Sequence, residues 1–428
     1  MKKFLFTISI FLGILILTGC QTAEATEIAE VEEVSEEATV VVEPNEEPEP
    51  EEEPTAVPTE EPEPIAEPEP VDFFEEKVRI DYASGFTVEY FENYKVVTVL
   101  TPWDFAEETF TYVLVQEGTD APEGYENASF VTIPVRTTVS MSTTFLPFLD
   151  MYELLDTLVA VDDATYVSNT VVLEMAENGL PSVGSGPTVD IETLLSLEPG
   201  VIFTNGYGFP DFDTHPVLIE AGMPVVINGD YMDTTPLGRA EWGKFIAVFY
   251  NQETKANELF DQTVANYEKI KALVADVETK PTVFFNTPWE GTWYMPGGAS
   301  FMANFVADAG GDYLWSDDPS TSTLYLGFED VIDKGAMEAD IWLNPGGFSF
   351  TAADVLAADE RFDSFAAYTN GGLWNNNKVM SPNFGNDFFE SGVANPDLVL
   401  ADLTFILHPE IMTSANPDFV TTYYQQLP

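Results

Sequence analysis

The chain has 428 residues, of which 74 are acidic and 15 basic, for a formal net charge of -59. A surface this negative repels phosphate backbones, which speaks against nucleic acid as a partner and is compatible with a saline setting that screens the repulsion. One cysteine and two histidines leave no disulfide framework and too few soft ligands for a bare zinc or manganese site.

The N-terminus, MKKFLFTISIFLGILILTGC, places two lysines before an apolar run that ends at Cys20. This is the pattern of an export signal, with a run too short for a full membrane span, and it stands outside the fold. Leu17-Thr18-Gly19-Cys20 resembles the lipobox of bacterial lipoproteins, which implies cleavage before Cys20 and a diacylglycerol on its thiol. An extracytoplasmic, lipid-anchored protein is expected, at the cell surface or in the periplasm. Residues 21–70 are rich in Glu and Pro and hold almost nothing apolar. Like charges repel and prolines block helices and ladders, so a disordered, extended tether is expected, standing the body off the membrane. Twenty-two of the acidic residues lie between Glu24 and Glu76, and all but two of the basic ones at or beyond Lys77, so the body keeps a net charge near -39.

The body is too long for one core and suits two lobes. The first is expected over 71–235. Its opening runs, FTVEYF, YKVVTVL, FTYVLVQ and SFVTIPV, are rich in β-branched and aromatic residues and read as antiparallel additions. A short strand over Thr138–Ser142 precedes a helix on which Phe145, Phe148, Leu149, Tyr152 and Leu155 share a face. That leaves Ser142 and Thr143 at the strand's carboxyl end, where open α/β sheets bind ligands. A second unit follows: Asp190 caps a helix from Ile191, VIFTN is a buried strand, and Gly206-Tyr207-Gly208 lies in the next loop.

The waist is expected over 236–280. Pro236 opens a helix with Trp242, Phe245, Ile246 and Phe249 as its stripe. Asn251 is expected to cap a second helix, whose apolar residues recur from Ala256 to Val274 and which Pro281 closes. It would span about 40 Å. The second lobe, 281–428, restarts the pattern with PTVFF, a loop containing Trp289, Trp293 and Tyr294, a helix over ASFMANFVADAGG, and the helix–strand pair LGFEDVIDKGAMEADIWLNPGG. Trp374 and Asn375 fall at a later ligand edge, and terminal helices close the chain. Two α/β lobes whose ligand edges face each other across a long helix make a cleft of nearly constant width.

RTTVSMSTTFLPFL, VDIETLLSLEPGVIFTNG, TPLGRAEWGKFIAVFYNQETKANELF, PGGASFMANFVADAGGDY and NPDLVLADLTFILHPE occur in the order found in a known class. With these motifs, residues 78–425 resemble the ABC transporter substrate-binding lipoproteins of the helical-backbone periplasmic-binding-protein class, which serve iron–siderophore, haem and cobalamin importers. The resemblance implies two Rossmann-like lobes joined by one long helix (class III), no catalysis, no covalently bound cofactor, and a monomeric receptor. It further implies delivery of a small metal chelate, here a siderophore-like iron complex, to an ABC permease and its ATPase. Haem or cobalamin is the alternative within the class. The class docks on its permease through one glutamate per lobe, and the matching positions are Glu192 and Glu329.

Within the cleft, Tyr207, Trp289, Trp293, Tyr294 and Trp374 are expected to cover the ligand, with Ser142, Thr143 and Asn375 orienting it. Arg239 either reaches the cleft or pairs with Glu241, and Arg136 lies before the first main strand, toward the wrong edge. His215 and His408 sit in different lobes and read as packed residues. No G-x-S-x-G elbow, Walker loop or H-E-x-x-H helix occurs in the sequence. A tethered carbohydrate hydrolase is the alternative of another class, and it requires two carboxylates facing each other in the cleft.

Overall fold

The computed structural model describes residues 72–428. Cys20, the signal and the tether over 21–70 lie outside the described residues. The first four strands, β1 (Phe86–Tyr90), β2 (Tyr94–Val99), β3 (Phe110–Gln116) and β4 (Ser129–Ile133), form a sheet in sequence order. The pairs β1/β2 and β2/β3 are antiparallel, but β3/β4 is parallel, a departure from the expected all-antiparallel addition. Residues 117–128 carry the chain back along the sheet first, which is about the length a parallel crossover needs.

The first α/β sheet follows, in the order β6 (Leu158–Val161), β5 (Thr138–Ser140), β7 (Val201–Thr204) and β8 (Val225–Ile227), all parallel. Its strands are buried almost throughout, as sheets covered on both faces must be. Between them run α1 (Leu146–Met151), α2 (Thr170–Glu177), α3 (Ile191–Leu197) and α4 (His215–Glu220). Asp190 caps α3 as its sequence suggests, accepting from the Thr193 amide at 3.0 Å. The N-terminal sheet joins this lobe: Phe86, Val97, Tyr112 and Ile133 share one core with Phe203, Val226 and Phe249. The Tyr112 hydroxyl also accepts from the Ile227 amide on edge strand β8, at 2.8 Å.

Two helices make the waist. α5 (Pro236–Ala247) is buried at every residue except Arg239. Its Leu237 and Ala240 belong to the core of the second lobe, and Trp242, Phe245, Ile246 and Ala247 to that of the first. α6 (Glu253–Leu273) reverses the order: Ala256 and Leu259 pack in the first core, Phe260 and Tyr267 in the second. At 21 residues it spans about 31 Å, shorter than expected. It stops at Leu273, before the exposed Asp276 and Glu278, whose charges are unfavourable at a helix carboxyl end. Asn251 does not cap α6. It adopts a left-handed conformation between the helices, and its side chain accepts from Lys95 Nζ at 2.8 Å.

Buried charges fasten the N-terminal segment to this waist. The Glu241 carboxylate on α5 accepts from the amides of Asp81, Tyr82 and Ala83 at 2.6–3.1 Å and from Lys244 Nζ at 2.8 Å. Lys244 Nζ also donates to the Arg79 carbonyl at 2.6 Å and lies 4.4 Å from the centre of the Phe260 ring. Lys95, fully buried on β2, donates to the Val248 carbonyl at 2.7 Å and pairs with Glu253.

The second lobe contains β9 (Thr282–Phe285), a hairpin of β10 (Pro288–Trp289) and β11 (Thr292–Pro296), α7 (Phe301–Asp308), β12 (Asp312–Tyr313), β13 (Thr323–Leu326), α8 (Phe328–Asp333) and β14 (Ile341–Leu343). Then come α9 (Ala352–Ala358), α10 (Ala366–Thr369), β15 (Leu373–Asn375), α11 (Ser391–Ala394), α12 (Pro396–Leu407), α13 (Pro409–Ala415) and β16 (Gln425–Gln426). The main sheet runs β12-β9-β14-β15-β16, parallel except for its last pair. A separate antiparallel sheet, β10-β11-β13, stands where a loop is expected. Its turn is Glu290-Gly291, both at positive φ, as two-residue hairpins demand.

Removing the charge from Glu241 while Lys244 stays buried leaves an uncompensated ammonium. Glu241→Gln should lower the unfolding free energy by roughly 3–5 kcal/mol. Arg136→Ala, at an exposed ion pair with Glu117, should change it by about 1 kcal/mol or less. Urea midpoints of the two variants test the contrast.

Candidate functional site

The lobes enclose a cleft beside the waist. One cavity of about 410 Å³ lies between Tyr231 and Arg239 of the first lobe and waist and Asn286, Tyr294 and Phe301 of the second lobe, with Asp104 of the N-terminal segment also in its lining. Arg239, Phe301 and Met302 also line a narrower pocket of about 190 Å³ that continues to Phe388 and Phe389. Phe389 then borders a third space, about 250 Å³, between Thr143 and Tyr166 on one side and Phe348 and Phe384 on the other. The cleft therefore has a polar end bearing a cation and an uncharged aromatic end.

Arg239 sits at their junction. Its Nε donates to the Asp233 carbonyl at 2.8 Å and one Nη2 hydrogen to the Tyr231 carbonyl at 2.6 Å. The guanidinium lies 4.1 Å from the centre of the Phe301 ring, a cation–π stack. It makes no ion pair among the described residues, and Glu241 is engaged elsewhere, so of the two options for Arg239 the structure takes the cleft. Burial draws its pKa below the ordinary value, with Asp230 and Asp233 opposing. A guanidinium carries five N–H groups, and the other three make no hydrogen bond among the described residues.

Other expected residues are placed variously. Tyr294 lines the large cavity and meets its cross-strand partner Tyr325 edge-on at 5.5 Å. Thr143 lines the aromatic end. Tyr207 is 49% exposed and lies 5.5 Å, ring to ring, from Tyr231. Ser142 is turned to local work, its hydroxyl accepting from the Thr144 amide at 3.3 Å. Trp293 does not face the cleft: it is 0% exposed, and its indole donates to the Phe285 carbonyl at 2.7 Å. The hairpin explains this, because strand side chains alternate and Tyr294 takes the outward place beside it. Trp289 is 60% exposed near the hairpin turn and lines none of these cavities. Trp374 packs edge-on to Phe405, 6.3 Å between ring centres, within its own lobe. Asn375 is buried and holds the loop that carries Phe348, donating to the Gly346 and Ser349 carbonyls at 2.6 and 2.9 Å.

Sequence reasoning missed Tyr231, Phe301, Phe348, Phe384, Phe389 and Asp104. Phe348 was within reach, since Gly346-Gly347-Phe348 follows β14 just as Gly206-Tyr207 follows β7. Phe384 and Phe389 reach the cleft through a long-range contact that carries no local signal. Glu390 accepts from the Ser168 and Asn169 amides of the first lobe at 2.7 and 2.8 Å, joining the lobes a second time. Burial pushes its carboxyl above the usual range, with those two amides opposing.

His215 is buried, with Trp103 stacked against it at 5.2 Å, and His408 Nε2 donates to the Gly310 carbonyl at 3.0 Å. No group of three or more metal-ligating side chains occurs among the described residues. Asp104 is the one acid among the residues lining the three cavities, so the facing pair that glycoside hydrolysis requires is not assembled there. Glu192 and Glu329 are both exposed, each in the first turn of a helix that leads into a parallel strand, α3 into β7 and α8 into β14.

The family described as periplasmic binding protein matches residues 142–374, more than half of the chain. The chain belongs to the periplasmic binding protein family. Among its relatives, an uncharacterised lipoprotein of Methanocaldococcus jannaschii is 26% identical over 255 residues, 58% of each chain. That match spans less than two thirds of the relative's own length. A second uncharacterised lipoprotein of the same organism is 26% identical over 329 residues, 73% of this chain and 79% of that one. A solved structure from Staphylococcus epidermidis ATCC 12228, described as a possible iron-binding periplasmic solute-binding protein, aligns with a TM-score of 0.51 at 18% identity, covering 64% of this chain and 98% of that one. CeuE of Helicobacter pylori, described as a nickel–histidine complex, aligns with a TM-score of 0.52 at 14% identity, covering 67% and 88%. At these identities the likeness is one of fold: α/β, with the long helix of the class III architecture.

In this binding protein Asp230 lies buried behind the Arg239 end of the cleft. Burial raises its carboxyl from 3.8 to about 6, with Arg239 opposing. A raised folded-state pKa means that the folded state holds the proton more tightly. The stability gained is therefore complete below the unfolded value near 3.8 and is lost as pH rises through about 6. Relative to Asp230→Asn, the natural protein should lose about 2–3 kcal/mol of stability between about pH 4 and pH 7, as read from denaturation midpoints across that range.

Proposed function

We propose that the protein is the substrate-binding component of an ABC importer, extracytoplasmic and lipid-anchored, and that it holds an iron complex of the siderophore type between its lobes. The observation that carries this is Arg239, a cation held by two backbone carbonyls and an aromatic ring at the centre of the cleft, with N–H groups left for an anionic chelate. Beside it Tyr294 offers a ring face and a hydroxyl, and Tyr231, whose hydroxyl is spent on the Gly206 carbonyl, a ring face. The iron-binding description of the Staphylococcus epidermidis structure is in keeping with this choice. Haem is the second reading, favoured by the aromatic end at Phe348, Phe384 and Phe389, which suits a flat apolar ligand. Full-length protein in detergent should bind ferric tris-catecholate or haemin saturably, read by tryptophan quenching. Arg239→Ala should weaken binding about tenfold or more, the loss expected of a charge-assisted hydrogen bond. Binding of neither probe would overturn the iron assignment.

Glu192 and Glu329 fit the role of permease contacts, one exposed carboxylate per lobe with the waist setting their spacing. Charge reversal of both to Arg should abolish transport in cells while leaving ligand affinity of the purified protein unchanged. Intact transport in the double variant would remove these two residues from the interface.

A further inference from the structure

The N-terminal sheet lies outside the family match, which begins at residue 142, yet it touches the cleft. We propose that this sheet is a working part of the ligand site: Trp103 holds the loop that bears Tyr207, and Asp104 sets the charge in the cleft lining. The proposal rests on the inter-lobe cleft being where ligand binds.

Trp103 lies between β2 and β3 and is 8% exposed. Its ring stacks on His215 at 5.2 Å and meets Phe110 edge-on at 5.7 Å. The loop at Gly206-Tyr207-Gly208 lies against the indole. A Cβ at Gly206 would come within 2.5 Å of the ring, and one at Gly208 within 2.8 Å, so only glycine allows this approach. Tyr207, the residue between them, therefore has its backbone clamped on one side by the indole. On the other side the Tyr207 amide donates to the buried Asp213 at 2.7 Å.

The same contact runs on to Arg239. The Tyr231 hydroxyl donates to the Gly206 carbonyl at 2.6 Å and lies 3.5 Å from the Pro102 carbonyl. The Tyr231 carbonyl in turn accepts from Arg239. Trp103, the 206–208 loop, Tyr231 and Arg239 thus form one continuous chain of packed and hydrogen-bonded groups. Asp104, next to Trp103, lines the same cavity as Arg239 and Tyr294. A ligand in that cavity meets the Asp104 carboxylate as well as the Arg239 guanidinium. It is selected for an acceptor or anionic group toward Arg239 and a donor, cationic or neutral group toward Asp104.

Two measurements on the full-length, detergent-solubilised protein test this. In ligand-free protein, Trp103→Ala should speed amide hydrogen exchange over 205–213 by tenfold or more and leave 282–285 unchanged, and Trp103→Phe should restore most of the protection. An unchanged rate over 205–213, or a uniform rise through the whole first lobe, overturns the positioning role. Asp104→Asn should tighten binding of the trianionic ferric tris-catecholate threefold or more and reduce its dependence on salt, whereas unchanged or weaker binding overturns the role of Asp104. If natural protein and variant alike fail to bind the chelate, the cleft assignment to such ligands fails and the Asp104 role with it, while the exchange measurement still decides the role of Trp103.

Discussion

Both cores depend on helix α5. A helix buried at eleven of its twelve residues has no solvent face, so it is held only where other elements cover it. Its first turns lie in the core of the second lobe and its last turns in the core of the first. α6 runs through the same two cores in the reverse order. The lobes are thus joined by a packed pair of helices as well as by a crossing of the chain, and relative motion of the lobes must disturb close-packed side chains at the waist. The Glu390 contact with the Ser168 and Asn169 amides adds a polar fastening beside the aromatic end of the cleft.

The N-terminal segment is tied to that waist by charge. Lys95, Glu241 and Lys244 are buried polar groups that would be costly alone, and each has its partners across long sequence separations. Such pairs contribute little net stability compared with apolar packing, but they penalise misplaced arrangements heavily. The sheet that precedes the family match is therefore seated in one position against α5, and that position sets Trp103 against the 206–208 loop and Asp104 in the lining of the cleft.

Much of the architecture could be read directly along the chain. The repeated strand–helix order, the Asp190 cap and the long amphipathic helix follow from periodicity and local hydrogen-bonding chemistry, which act over a few residues. The hairpin at Trp289–Trp293 was also legible in principle, because Glu290-Gly291 is a two-residue turn flanked by alternating residues. The alternation along that hairpin sends Trp293 inward and Tyr294 outward. Asn251 shows the opposite case: its position before a helix favours capping, but a buried lysine 156 residues away captures its side chain.

The order of residues along the chain was enough to establish two α/β lobes, a helical waist and an acidic body. These properties arise from local periodicity, turn chemistry and composition. Which side chains line the cleft was settled by folding in three dimensions. Arg239 was freed for it because Glu241 is occupied by Lys244 and the 81–83 amides. Phe384, Phe389 and Asp104 were brought to it by segments remote in sequence, and Trp293 and Asn375 were withdrawn into packing. Each outcome turns on competition among partners far apart along the chain, and a pattern of neighbours holds no record of which partner wins.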